Sequence, residues 1–130
     1  WQEQPAGHIL VVDDEPQLRD IASAMLATFG YTAQTVSSGE EAVAVLQREK
    51  FDLVLIDMMM EPGINGRQTY EEIIKINPGQ KVLIASGYSE NKEVKRALAL
   101  GAGCFIKKPY SLRELLRAVQ SVELQTHNTE

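Results

Sequence analysis

A chain of 130 residues with 44% apolar side chains fits one domain with a single buried core. A net charge of −5 argues against non-specific nucleic-acid binding, and no basic stripe for DNA is visible. No run of about 18 apolar residues occurs and no signal peptide is visible, so neither a spanning helix nor membrane contact is expected.

Residues 1–7 (WQEQPAG) have no periodicity and read as the remnant of a linker, and a chain that starts with Trp1 reads as a piece of a longer polypeptide. His8 to Val12 is the first apolar run, the length of a buried strand. Pro16 suits the first turn of a helix, where its missing N–H is not needed. Leu18, Ile21, Ala22, Met25, Leu26 and Phe29 recur at helical spacing until Gly30. Tyr31 to Val36 reads as a second, half-apolar strand, and Ser38-Gly39-Glu40-Glu41 as a capping box before Ala42, Val43, Val45 and Leu46. Phe51 to Ile56 is the third and most continuous strand.

Glu61 to Gly66 is dense in turn residues and reads as a loop before a helix carrying Tyr70, Ile73, Ile74 and Ile76. Lys81 to Ala85 is the fourth strand; Ser89 suits the cap of a helix with Val94, Ala97, Leu98 and Leu100, stopped by Gly101. Cys104 to Ile106 is the fifth strand, and Ser111-Leu112-Arg113-Glu114 opens a last helix with Leu112, Leu115, Leu116, Val119 and Val122. Cys104 is the single cysteine, so no internal disulfide forms and a reducing, cytoplasmic compartment is expected. Strands alternating with helices predict a doubly wound (βα)5 α/β fold, a parallel sheet with helices on both faces. The folded domain is expected over 8–123, with 124–130 a frayed tail.

Four strands end in chemistry. Val11-Val12 runs into Asp13-Asp14, Leu55-Ile56 into Asp57, Ile84-Ala85 into Ser86, and Phe105-Ile106 into Lys107-Lys108-Pro109. Parallel strands gather these ends at one sheet edge, where ligands of such folds bind. Three close carboxylates repel by on the order of a few kcal/mol per pair. A hard cation relieves that, and Mg²⁺ accepts carboxylate oxygens while sharing a phosphate oxygen. Capping of the next helix by Asp13 and Asp14 is the plainer explanation, but it leaves Asp57 unexplained. Asp57 is the candidate nucleophile, forming an acyl phosphate. Lys108 suits one phosphoryl oxygen; Ser86 and a backbone N–H near Met58 or Gly87 suit another. Taken alone, Lys108 reads as an exposed lysine beside Lys107, and only the match with the other strand ends gives it a role.

These residues resemble those of a response-regulator receiver domain of two-component signalling, over roughly residues 8–123. Matching positions are Asp13-Asp14, the phospho-acceptor Asp57, Gly63 and Gly66 in the following loop, the switch hydroxyl Ser86, the aromatic Phe105, and Lys108 before Pro109. The resemblance implies strand order 2-1-3-4-5 and Mg²⁺ held by Asp14, Asp57, the backbone carbonyl of Met59 and, mostly through water, Asp13. It implies a cis Lys108–Pro109 bond and a phosphohistidine donor, either a histidine kinase or a phosphotransfer domain. It further implies that the domain catalyses its own phosphorylation and dephosphorylation, binds no nucleic acid directly, and changes state on the surface of helix four, strand five and helix five. It leaves the oligomeric state open.

Three positions depart from the family pattern: Glu61 looks like a one-residue insertion, Ser86 replaces the commoner Thr, and Phe105 the commoner Tyr. Met59 and Tyr88, bulky and not acidic, are expected to flank the phosphoryl group and hinder water. Asp-Met-Met-Met-Glu-Pro-Gly, Ala-Ser-Gly-Tyr-Ser and Lys-Lys-Pro-Tyr resemble receivers at the C-terminus of hybrid sensor histidine kinases. A response regulator without its output domain comes second and a free-standing regulator third. A small aspartate-nucleophile phosphatase is a further alternative, disfavoured by Met59 where its second Asp would stand. A module that no longer accepts phosphate has no support in the residues. Lys92, Lys95 and Arg96 give helix four a basic face, read as solvated rather than as a docking surface.

Overall fold

Strands and helices alternate along the whole of the computed structural model, which describes residues 7–60, 62–87 and 92–124. They are β1 (Gly7–Val12), α1 (Pro16–Thr28), β2 (Tyr31–Val36), α2 (Gly39–Leu46), β3 (Leu53–Asp57), α3 (Gly66–Ile76), β4 (Val82–Ser86), α4 (Lys92–Ala99), β5 (Cys104–Lys107) and α5 (Leu112–Leu124). All strand pairs are parallel, in the expected order β2-β1-β3-β4-β5.

The apolar runs are continuous because both faces of the sheet are covered. Leu10, Val12, Val54, Ile56, Val82 and Ile84 pack with Ala42, Val45, Tyr70, Ile73, Val94 and Ala97 from α2, α3 and α4. Ile9, Val11, Leu53, Leu55, Leu83 and Ala85 pack with Ala22, Leu26, Leu115, Val119 and Val122 from α1 and α5. Among the described residues, no helix is long and apolar enough to cross a membrane.

Several local expectations shift. Gly7, read as the end of the linker, opens β1 opposite Tyr31, and Leu124, read as the first tail residue, closes α5. β3 starts two residues later than the apolar run and includes Asp57; β4 and β5 likewise reach Ser86 and Lys107. The chemistry-bearing residues are therefore the last rungs of the ladder or the residues just beyond it. The Ser111–Glu114 box closes in both directions. The Ser38–Glu41 box does not: Ser38 Oγ accepts from the Glu41 N–H, but the Glu41 carboxylate reaches one residue further back and accepts from Ser37 N–H and Oγ–H. A third box, Asn65–Gln68, starts α3 and was not read from the sequence. Ile21, Ile76, Leu100 and Leu112 belong to the apolar periodicity yet are exposed. Ser89, Glu61 and Tyr88 lie outside the described residues.

Candidate functional site

Register brings the strand ends together. Val12 pairs with Ile56, Asp57 with Ala85, and Ser86 with Lys107, so Asp13, Asp57, Ser86 and Lys108 follow one another from β1 to the edge strand β5. The backbone seals this edge: Asp13 N–H donates to Val36 O, Met58 N–H to Ala85 O at 2.8 Å, and Lys108 N–H to Ser86 O at 2.7 Å. Met58 N–H is therefore spent on the ladder and cannot serve a phosphoryl oxygen. The donor beside the acceptor is Met59, whose N–H bonds the Asp57 carboxylate.

Carboxylate oxygens of Asp13, Asp14 and Asp57 lie within 4.8 Å of one another. Asp13 and Asp57 are buried. Lys108 Nζ bridges them, 3.2 Å from Asp57 Oδ1 and 3.4 Å from Asp13 Oδ2. One ammonium faces two buried carboxylates with the less buried Asp14 close by, an imbalance that is costly in a buried setting. Burial pushes the Asp57 carboxyl up from 3.8 to about 6, with Asp13 adding to the rise while Lys108 and Met59 N–H oppose it. For Lys108, burial disfavours the charge, but the Asp57 and Asp13 carboxylates outweigh it and the ammonium is held above its ordinary value. Asp13 Oδ1 accepts the Glu15 N–H at 2.9 Å in the turn that leads into α1, and its carbonyl accepts from Arg19 at 2.7 Å; α1 itself has no side-chain cap.

The donor set fits a hard divalent cation: three carboxylates meet and at least one is desolvated and short of positive charge. The loop after Asp57 is shaped for this. Gly66 N–H donates to Met58 O at 2.9 Å, and a Cβ on Gly66 would lie 2.8 Å from Asp57 O, so only glycine lets the loop fold back this tightly. Ser86 is fully buried at the end of β4. Phe105 is partly buried and packs on the α2–α3–α4 side of the core. Lys108–Pro109 is cis, as the resemblance implied. Met59 is half exposed beside the acceptor.

Three features were missed in the sequence. Next to Asp13 and Lys108, a groove of about 400 Å³ is lined by Leu18, Ile21, Met25, Gly87, Pro109 and Tyr110. Its signal was the width of the α1 stripe: within α1 only Ala22 and Leu26 are buried, and Leu18, Ile21 and Met25 line the groove. Burial raises the Tyr110 phenol to about 12, with Asp13 and Asp57 adding to it, so it stays protonated. Arg67 of α3 ties α4 by a 2.5 Å contact to Glu93, to which Asn65 also donates. Glu40 of α2 accepts from Ile64 N–H in the loop after the acceptor.

The chain matches the sequence model of the response regulator receiver domain over residues 9–120. It is 36% identical over 112 residues to the transcriptional regulatory protein GlrR of Escherichia coli (strain K12), covering 86% of this chain and 25% of that protein. It is 31% identical over 115 residues to the response regulator SaeR of Staphylococcus aureus (strain USA300), covering 88% of this chain and 50% of that protein. The chain thus spans a quarter to about half the length of the curated relatives it matches. A CheY-like response regulator receiver domain protein from Methanospirillum hungatei JF-1 shares the fold, with a TM-score of 0.86 at 28% identity over 95% of this chain and 98% of that one.

Proposed function

This chain belongs to the response regulator receiver domain family, the phosphoacceptor switch of two-component signalling, and from that premise we propose that Asp57 takes the phosphoryl group. The observation that carries this reading is the Asp57 carboxylate: buried, raised to about 6, and paired with Lys108 at 3.2 Å. A group with that pKa is mostly ionised at pH 7 and more basic than an ordinary aspartate, which suits a nucleophile.

A carboxylate oxygen of Asp57 attacks the phosphorus of a phosphohistidine on the donor. The new P–O bond forms as the P–N bond breaks, the imidazole nitrogen keeps the bonding pair and takes a proton from water, and an acyl phosphate remains. Lys108 Nζ, already between Asp57 and Asp13, pairs with the arriving oxygens. Asp13, Asp14, Asp57 and the Met59 carbonyl would hold Mg²⁺. Bound there, the cation would neutralise negative charge on the transferring group. The groove lined by Leu18, Ile21, Met25 and Tyr110 offers the donor an apolar surface beside the acceptor.

Ser86 and Phe105 act as the switch. The added charge of about −1.5 to −2 draws the Ser86 hydroxyl, and Phe105, on the neighbouring strand, follows into the space behind it. The α4–β5–α5 surface changes population between two states rather than fold. Met59 shields the acyl phosphate from water. For the parent protein, the regulator relatives support a response regulator, the reading ranked second to the hybrid kinase on the sequence phrases.

Incubation with Mg²⁺ and acetyl phosphate tests the reading by intact mass. A gain of one phosphoryl group that is lost in Asp57→Asn is expected. Turnover of a phosphate ester would point to a phosphatase instead, and no mass gain to a module that no longer accepts phosphate.

A further inference from the structure

Among the described residues, the loop between β3 and α3 is held at its base and on its far side. Its base is closed by the Gly66 N–H on Met58 O. Its far side is gripped from another helix: Glu40 Oε2 accepts from Ile64 N–H at 3.1 Å. This grip needs Gly63 beside it. Gly63 has φ +106, and a Cβ there would lie 2.8 Å from both carboxylate oxygens of Glu40. Any side chain would therefore displace the carboxylate or strain the backbone. The gripping helix is itself firmly seated. Ser38 caps α2, and Gly39 packs so closely against Thr69 and Ile64 that no Cβ fits between them. Within this loop Met59 gives its N–H to the Asp57 carboxylate.

Glu40 touches neither Asp57 nor Lys108 through any hydrogen bond described; its effect runs through the loop. We propose that Glu40 is a positioning residue: its hydrogen bond to Ile64 N–H fixes the β3–α3 loop so that Met59 presents its N–H to Asp57 and its carbonyl to the cation. The inference rests on the acceptor reading above and adds a residue from α2 to the machinery of that site. It explains why glycine stands at 63, which periodicity and turn composition alone do not.

Comparing Glu40→Ala with Glu40→Gln isolates the hydrogen bond. Both variants lose the same charge, but only glutamine keeps an oxygen able to accept from Ile64 N–H. Alanine is also the better helix former, so loss of α2 would mislead in the opposite direction. Two quantities are read: the Mg²⁺ dissociation constant by calorimetry, and hydrogen exchange of the Ile64 amide. The expected result is Mg²⁺ binding roughly three- to tenfold weaker in Glu40→Ala than in Glu40→Gln, with Ile64 exchange accelerated in the alanine variant by a similar factor. Equal Mg²⁺ affinity in the two variants, with normal binding in the unmodified chain, overturns this inference alone. Failure of the unmodified chain to bind Mg²⁺ overturns the acceptor reading and this inference with it.

Discussion

The two ends of one sheet handle polar groups in opposite ways. At the amino-terminal edge polar groups pair with one another and with backbone carbonyls. Asp52 takes the His8 N–H at 2.7 Å, Gln80 donates to Phe51 O and Lys81 O, and Tyr31 O–H and Lys81 Nζ both bond Glu123. At the carboxyl-terminal edge three carboxylates meet, the two buried ones share the Lys108 ammonium, and the more buried of these, Asp57, is pushed up to about 6. The same strands and the same core support both edges, so folding does not require the crowding. The first edge is built for the fold alone. The second is left unbalanced, as the proposed acceptor site for a cation and a phosphoryl group requires.

Removing Lys108, the cation paired with Asp57 and Asp13, should break the contrast most severely. Lys108→Ala leaves Asp57 and Asp13 facing each other and removes the partner of the incoming phosphoryl oxygens. Phosphorylation by acetyl phosphate should slow on the order of a hundredfold, read from the time course of intact mass. Folding stability in EDTA should also fall, by about 1–3 kcal/mol in urea titration.

Removing the excess charge should do the reverse. Asp57 has a folded pKa near 6 against an ordinary 3.8. A raised carboxyl binds its proton more tightly folded than unfolded, so its contribution is favourable below about pH 4 and is lost as pH rises to about 6. At pH 7.5 in EDTA, Asp57→Asn should therefore be more stable than the unmodified chain, by up to roughly 3 kcal/mol and less where Lys108 misses its partner. A urea titration measures the gain. Carboxyl NMR of the unmodified chain in EDTA should show the Asp57 midpoint near pH 6.

Met59→Asn tests shielding at the rim of the same edge, where Met59 is half exposed. The phosphoryl lifetime should shorten several-fold, measured by decay of the mass gain after the phosphodonor is removed. The smallest effect belongs to the balanced edge. Asp52→Asn should change stability by less than ~1 kcal/mol and leave Mg²⁺ affinity unchanged. A large loss of Mg²⁺ binding there would erase the distinction between the two edges.

Much of the loaded edge was legible because a charge that ends an apolar run is unusual and parallel strands bring such ends together. Asp13, Asp57, Ser86 and Lys108 needed no more than that. The fold was legible for the same reason, since runs buried on both faces alternate with helical stripes. What escaped depended on where backbone groups point. Periodicity does not tell that Met58 N–H is consumed by Ala85 O while Met59 N–H faces Asp57. Nor does it tell that Glu40 reaches across to Ile64 or that Glu41 bonds Ser37 rather than Ser38. Periodicity alone does not separate Ile21, exposed beside the groove, from the buried Ala22 and Leu26 of the same stripe.

The central claim is that the unbalanced edge receives a phosphoryl group on one particular carboxylate. Chemical trapping tests it most directly. After incubation with Mg²⁺ and acetyl phosphate, borohydride reduces an acyl phosphate to the alcohol, and peptide mass mapping locates the reduced residue. The account predicts homoserine at position 57 and at no other acidic residue. Reduction at Asp13, Asp14 or Asp52 with position 57 untouched would contradict it.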